Sequence, residues 1–100
     1  MEAAAVHLTA HAVARFAERH AREVQVGSRF GVTEKIQREV RRGTFWRDRD
    51  GSLLCVYNNL RVYVCLEGPF RVVTEFPYTQ GFKRRLAGME RIPNPARSFK

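Results

Sequence analysis

Only two cysteines, Cys55 and Cys65, occur in this sequence. Their spacing fits no zinc pattern, and two thiolates cannot close a structural zinc site. No disulfide framework follows from so few, and the chain reads as intracellular with both thiols reduced. Long apolar runs are missing as well. Nothing approaches the roughly 18–20 residues that span a bilayer, so no membrane partner is expected. The opening residues, Met1 to Val6, lack the basic and long apolar segments of a secretory signal, which points to a cytoplasmic protein. No group of Asp, Glu and His has metal-ligand spacing, so neither a metal nor a cofactor is expected. Internal repeats and low-complexity tracts are absent too.

Acid is also scarce. Ten Asp and Glu face eighteen Lys and Arg, a net charge of +8, and lysine accounts for only Lys35, Lys83 and Lys100. Net charge speaks to partners and not to fold. A planar guanidinium takes phosphate oxygens two at a time and stacks on bases, so an arginine-rich excess favours a nucleic-acid partner. A soluble surface of biased composition is the plainer alternative.

What is present suffices for one domain. At 100 residues with 44% hydrophobic residues, a chain buries about 60–70% of the surface that its unfolded form exposes. The core is expected over residues 7–78, with 79–100 as a short basic tail.

Thr9 is a candidate N-cap, and Leu8 before it can staple to Val13. Val13, Phe16, Ala17 and Val24 then trace one side of a first helix, which is expected to break at Gly27-Ser28. A second helix is predicted from Thr33 to Arg42, with Glu34 in its first turn, arginines in its last and Gly43 as the residue after its end. Its apolar side, Ile36 and Val40, is thin, so it needs a neighbour. From Thr44 the period changes to two. Thr44–Arg49, Ser52–Tyr57, Leu60–Leu66 and Phe70–Phe76 read as strands joined by short turns, hence antiparallel. The expected class is α+β, two N-terminal helices packed on a four-stranded antiparallel sheet.

A two-residue Asn58-Asn59 turn pairs Tyr57 with Leu60 and Cys55 with Val62. A three-residue Glu67-Gly68-Pro69 loop then aligns Phe70, Val72, Thr74 and Phe76 with that apolar row. This register leaves Arg61, Tyr63, Arg71 and Glu75 on the non-core face, and it separates the two cysteines. Leu54 and Val56 share that outer face, which suggests that something covers part of it. Beyond Pro77, Gln80–Ala87 has room for two turns of helix before the Pro93 and Pro95 interruptions.

His11, Arg15, Glu18 and Arg22 form a polar stripe on the first helix. A histidine can trade protons near neutrality, and an arginine one turn away can hold a phosphate. The plainer reading is a solvated face with an Arg15–Glu18 pair. Arg61, Tyr63, Arg71 and Glu75 interleave cations with an aromatic ring, which suits a nucleotide, or else form a solvated sheet face. Lys83, Arg84 and Arg85 extend the basic surface. Tyr78 ends the last strand, as support for a site or as a packing anchor. Trp46, His7 and His20 are read as packing or bystander residues.

The segment His11-Ala-Val-Ala-Arg15-Phe-Ala-Glu-Arg19 resembles the His-Ala-x-x-Arg-hydrophobic-x-x-Arg opening of a family of small bacterial and phage proteins. Val40-Arg-Arg-Gly43, Asp48-Arg-Asp-Gly51 and Val72-Val-Thr-Glu-Phe-Pro77 resemble its later landmarks. That family is similar to the RelE/barnase-like ribonucleases, many of them toxins. The resemblance implies a metal-independent endoribonuclease acting through 2′-OH attack, with His11, Arg15, Arg71 and Tyr78 catalytic. Arg61, Tyr63, Glu75, Lys83, Arg84 and Arg85 would then bind the RNA, whether ribosome- or tRNA-associated, and Thr74 would be carried over from the closing strand. A protein antitoxin or inhibitor is an implied partner. The alternatives are a non-catalytic nucleic-acid-binding module and a protein-binding inhibitor on the same scaffold.

Overall fold

The computed structural model describes residues 6–23, 31–68 and 70–96. Thr9 caps as its position predicts. Its hydroxyl accepts the Ala12 N–H at 3.1 Å and starts helix α1, Ala10–Arg19. The Thr9 N–H and hydroxyl also donate to the Val72 and Val73 carbonyls, so the cap fixes the helix to a strand as well. Ala12 and Phe16 are the buried face. The helix stops earlier than its apolar pattern suggests, at His20 (φ −127°, ψ 34°), and a single 3-10 turn follows over Ala21–Glu23. The break expected at Gly27-Ser28 lies outside the described residues, as does Val24.

Helix α2 spans Gly31–Arg42, so Thr33 lies inside its first turn and is not its cap. Gly43 is needed for close approach, not for a left-handed cap, because its φ is not positive. A Cβ there would run into Cys55 Sγ, with the Val56 carbonyl oxygen at 3.1 Å. The carbonyls at the helix end are taken by the Asn94 amide, which donates to Val40, Arg41 and Gly43 oxygens at 3.0 Å each. Capping of this kind satisfies acceptors that a helix end otherwise leaves orphaned.

The expected α+β class holds, but the sheet is larger and mixed. The predicted strands are β2 (Thr44–Arg47), β3 (Leu53–Tyr57), β4 (Arg61–Leu66) and β5 (Arg71–Pro77). Two short strands extend them, β1 (His7–Leu8) and β6 (Glu90–Ile92). Among the described residues the order is β1-β5-β4-β3-β2-β6, with β1 parallel to β5 and every other pairing antiparallel. Residues 79–96 are accordingly no loose tail. Helix α3, Gln80–Leu86, is capped by the Thr79 hydroxyl and buries Phe82, β6 joins the sheet, and Ala96 is buried.

The sheet therefore has two covered faces. On the front, α1 and α2 enclose Phe16, Ile36, Val40, Phe45, Leu53, Cys55, Tyr63, Cys65 and Val72. On the back, Phe82 of α3 packs on Leu54, Val56 and Val62, with Trp46, Phe76 and Tyr78 beside them. The cover suggested by Leu54 and Val56 is α3.

This second layer corrects the predicted register. Asn58 and Asn59 both take positive φ (51° and 57°), and Leu60 donates to the Tyr57 carbonyl at 2.8 Å. The loop thus holds three residues, and Tyr57 pairs with Arg61 and Cys55 with Tyr63. A one-residue slip exchanges faces along a strand. Arg61, Tyr63 and Cys65 turn to the front, Val62 and Val64 turn to the back, and Leu60 is left 52% exposed at the tip. On β5 an irregularity at Val64/Cys65 puts Val72 in front, while Thr74 pairs with Val64 and Phe76 with Val62 on the back. Thr74 is thus on the back face, not on the core face expected for it. Cys55 and Cys65 share the front face, contrary to the expected separation, and both are free thiols.

Candidate functional site

The four residues proposed for catalysis do not converge. His11 is exposed on α1, and Arg15 is spent on Glu18 at 3.3 Å, both side chains open to solvent. Arg71 is exposed at the start of β5. Tyr78 belongs to the back layer, its ring edge-on to Phe82 with centroids 5.8 Å apart. The sheet stands between α1 and Tyr78. Among the described residues no hydrogen bond or ion pair joins any two of these four.

Arg61, Tyr63 and Glu75 do come together, but inside. Each is at most 1% exposed, so a solvated nucleotide surface is excluded for them. A buried charge must be paired, and the partners are residues that the sequence reading left aside. Arg61 Nη2 donates to Glu23 Oε1 at 2.6 Å, while its Nε lies 3.2 Å from Glu39 Oε1 without hydrogen-bond alignment. Its guanidinium also lies over the Phe16 ring, 5.0 Å from the centroid. The Tyr63 hydroxyl donates to Glu39 Oε1 at 2.6 Å. Lys35 lies 3.3 Å from Glu39 Oε2 and 3.7 Å from Glu23 Oε1. Glu75, its side chain fully enclosed, meets His20 Nε2 at 2.7 Å and Arg19 Nη1 at 3.4 Å; Arg19 also donates to the Glu75 carbonyl.

The electrostatics follow from these contacts. The bonded Arg61 guanidinium holds the Glu23 carboxyl below its ordinary value of 4.5, against a smaller upward pull from partial burial. Burial pushes the Tyr63 phenol up, and its bond to the Glu39 carboxylate adds to this, since losing the proton would set two negative charges together. Burial likewise raises both cysteine thiols, which makes them poor nucleophiles. His20 has carboxylates at both ring nitrogens, Glu75 at Nε2 and Glu23 Oε2 at 3.5 Å from Nδ1. Only the Nε2 contact is a hydrogen bond; Nδ1 faces Glu23 at ion-pair distance. Three carboxylates, Glu23, Glu39 and Glu75, thus meet three permanent cations, Arg19, Lys35 and Arg61. The cluster neutralises itself and ties α1, α2, β4 and β5 together.

One sequence signal pointed to it. Glu39 stands between Ile36 and Val40 on the apolar side of α2, a core position for a carboxylate. The thin apolar face expected of that helix is completed by an ion cluster, not by hydrocarbon.

The outer face of α2 is different. Glu34, Gln37, Arg38, Arg41 and Arg42 line a polar depression of about 400 Å³. Arg38 and Arg42 are exposed, and among the described residues no ion pair ties either to a carboxylate. On α3, Lys83, Arg84 and Arg85 are exposed, with Arg85 reaching Asp48 Oδ2 at 3.4 Å. Those three lie on the back layer, away from α2.

Among the described residues no group of three or more His, Cys, Asp and Glu is arranged to hold a metal ion, and no helix is long and apolar enough to cross a membrane. Compared with protein-family models, with curated proteins and with solved structures, the chain matches none.

Proposed function

We propose that this protein is a non-catalytic nucleic-acid-binding module that holds RNA through its backbone phosphates. The observation that carries the reading is the division of charge. The cluster balances its own cations and anions, three against three, so the excess of the described residues, fifteen Lys and Arg against nine Asp and Glu, lies outside it. A polyanion gains by releasing its condensed counterions to such a surface. A ribonuclease ranks lower, because His11, Arg15, Arg71 and Tyr78 are scattered and the half-buried His20 is engaged through Nε2 with the enclosed Glu75.

Fluorescence anisotropy of a labelled RNA, titrated at rising salt in EDTA and then run on a gel, tests this. The expected result is binding that weakens steeply with salt and RNA that stays intact. Affinity indifferent to salt contradicts it. Cleavage that persists in EDTA and spares 2′-O-methyl RNA restores the ribonuclease reading, which His11→Ala and Arg71→Ala would then probe. Failure to bind any RNA favours the protein-binding inhibitor.

A further inference from the structure

The interior cluster, the exposed Leu60 tip, the short edge strands and the three arginine-bearing helices each offer a surface or a group of charges. The outer face of α2 carries an inference furthest. Its positions 34, 37, 38, 41 and 42 fall on one side of a helix at 3.6 residues per turn, opposite the buried Ile36, Glu39 and Val40. The core thereby fixes which way this face points. Arg38 and Arg42 are one turn apart, about 6 Å along the axis, comparable to the step between successive phosphates of an extended strand. Gln37, whose amide donates to the Val6 carbonyl at 2.9 Å, fixes one flank of the depression.

We infer that this arginine-lined depression is the phosphodiester-contacting surface of the protein, and that it recognises the backbone without reading base or sugar. The inference rests on the nucleic-acid reading above and adds to it a location and a mode. The mode follows from the residues. Sequence-tolerant single-strand platforms stack bases on aromatic rings, and none of the described lining residues is aromatic. Guanidinium forks instead match phosphate oxygens. Glu34 is the only acid among those lining residues, one turn before Arg38, and it repels the same ligand. The depression is thus built with an attractive end and a repulsive end. Arg38 and Arg42 hold no carboxylate among the described residues, so binding a phosphate breaks no internal ion pair. Lys83 and Arg84 on α3 are the rival cationic face.

Salt titrations of the full chain with one labelled RNA separate the possibilities. Arg38→Ala/Arg42→Ala is expected to weaken binding and to make the slope of log affinity against log salt shallower by about two, one for each lost phosphate contact. Glu34→Gln is expected to tighten binding, an effect that a merely structural role would not produce. Unlabelled DNA of the same length and a scrambled RNA should compete equally with the parent RNA. All three positions are polar and outside the core, and unchanged thermal unfolding confirms that the variants fold. An equal or larger loss from Lys83→Ala/Arg84→Ala overturns the location, and strong preference for one base sequence or for RNA over DNA overturns the mode. If the α2 variants bind as the parent does, the inference fails while the nucleic-acid reading stands. If the parent binds nothing, both fall together.

Discussion

Arg61 and Arg38 carry the same side chain and sit in opposite worlds. Arg61 is 1% exposed and held by Glu23, Glu39 and the face of Phe16. Arg38 is exposed, on the far side of α2, with no carboxylate among the described residues. The difference is one of partners. Where carboxylates from α2 and the turn after α1 can reach an arginine, the fold draws it inward. Where no ion pair forms, as at Arg38 with only Glu34 one turn before it, the charge stays in water and is available to a ligand. An arginine count therefore predicts binding only after the arginines used by the interior have been set aside.

The largest expected contrast is in stability. Arg61→Met leaves Glu23 and Glu39 without their guanidinium and should cost about 3–5 kcal/mol, as breaking a buried pair from one side does. Arg38→Met, at an exposed position, should stay within about 0.5 kcal/mol of the parent. Chemical denaturation of both variants checks this, and equal stability for the two would erase the distinction between regions.

A smaller effect lies in pH. Glu23 has a folded pKa below its ordinary 4.5, through its bond to Arg61. Its contribution is therefore complete above pH 4.5 and is lost as pH falls through the lowered folded value. The stability advantage of the parent over Glu23→Gln should be constant near neutrality and should shrink below pH 4.5. At 39% side-chain exposure the advantage is screened by solvent and small. An advantage that grows on acidification would contradict the assignment of Arg61 as its cause.

These contrasts also show what the sequence could and could not reveal. The Thr9 cap, the period change at Thr44, the strands that became β2 to β5 and a helical Gln80–Ala87 were legible, because local propensity and pattern decide them. The register was not. The choice of a two-residue Asn58-Asn59 turn assumed one wet face, and α3 leaves both faces of the central strands covered. With Val62 and Val64 sheltered behind and Arg61 and Tyr63 partnered in front, apolar alternation no longer selects a register. Three candidate site residues changed role for that reason. His20, set aside as packed, is at the heart of the cluster because Glu75 turned inward with β5. The strands β1 and β6, of two and three residues, are too short for any pattern to announce.

The measurement that bears most directly on this division of labour is NMR of the arginine side-chain Nε–Hε signals during titration with an RNA oligonucleotide. The signals of Arg38 and Arg42 should move with the added RNA, while those of Arg61 and the backbone amides of His20 and Glu75 should stay in place. Shifts concentrated at Arg61, His20 and Glu75, with Arg38 and Arg42 unmoved, would contradict it and make the interior cluster the binding site.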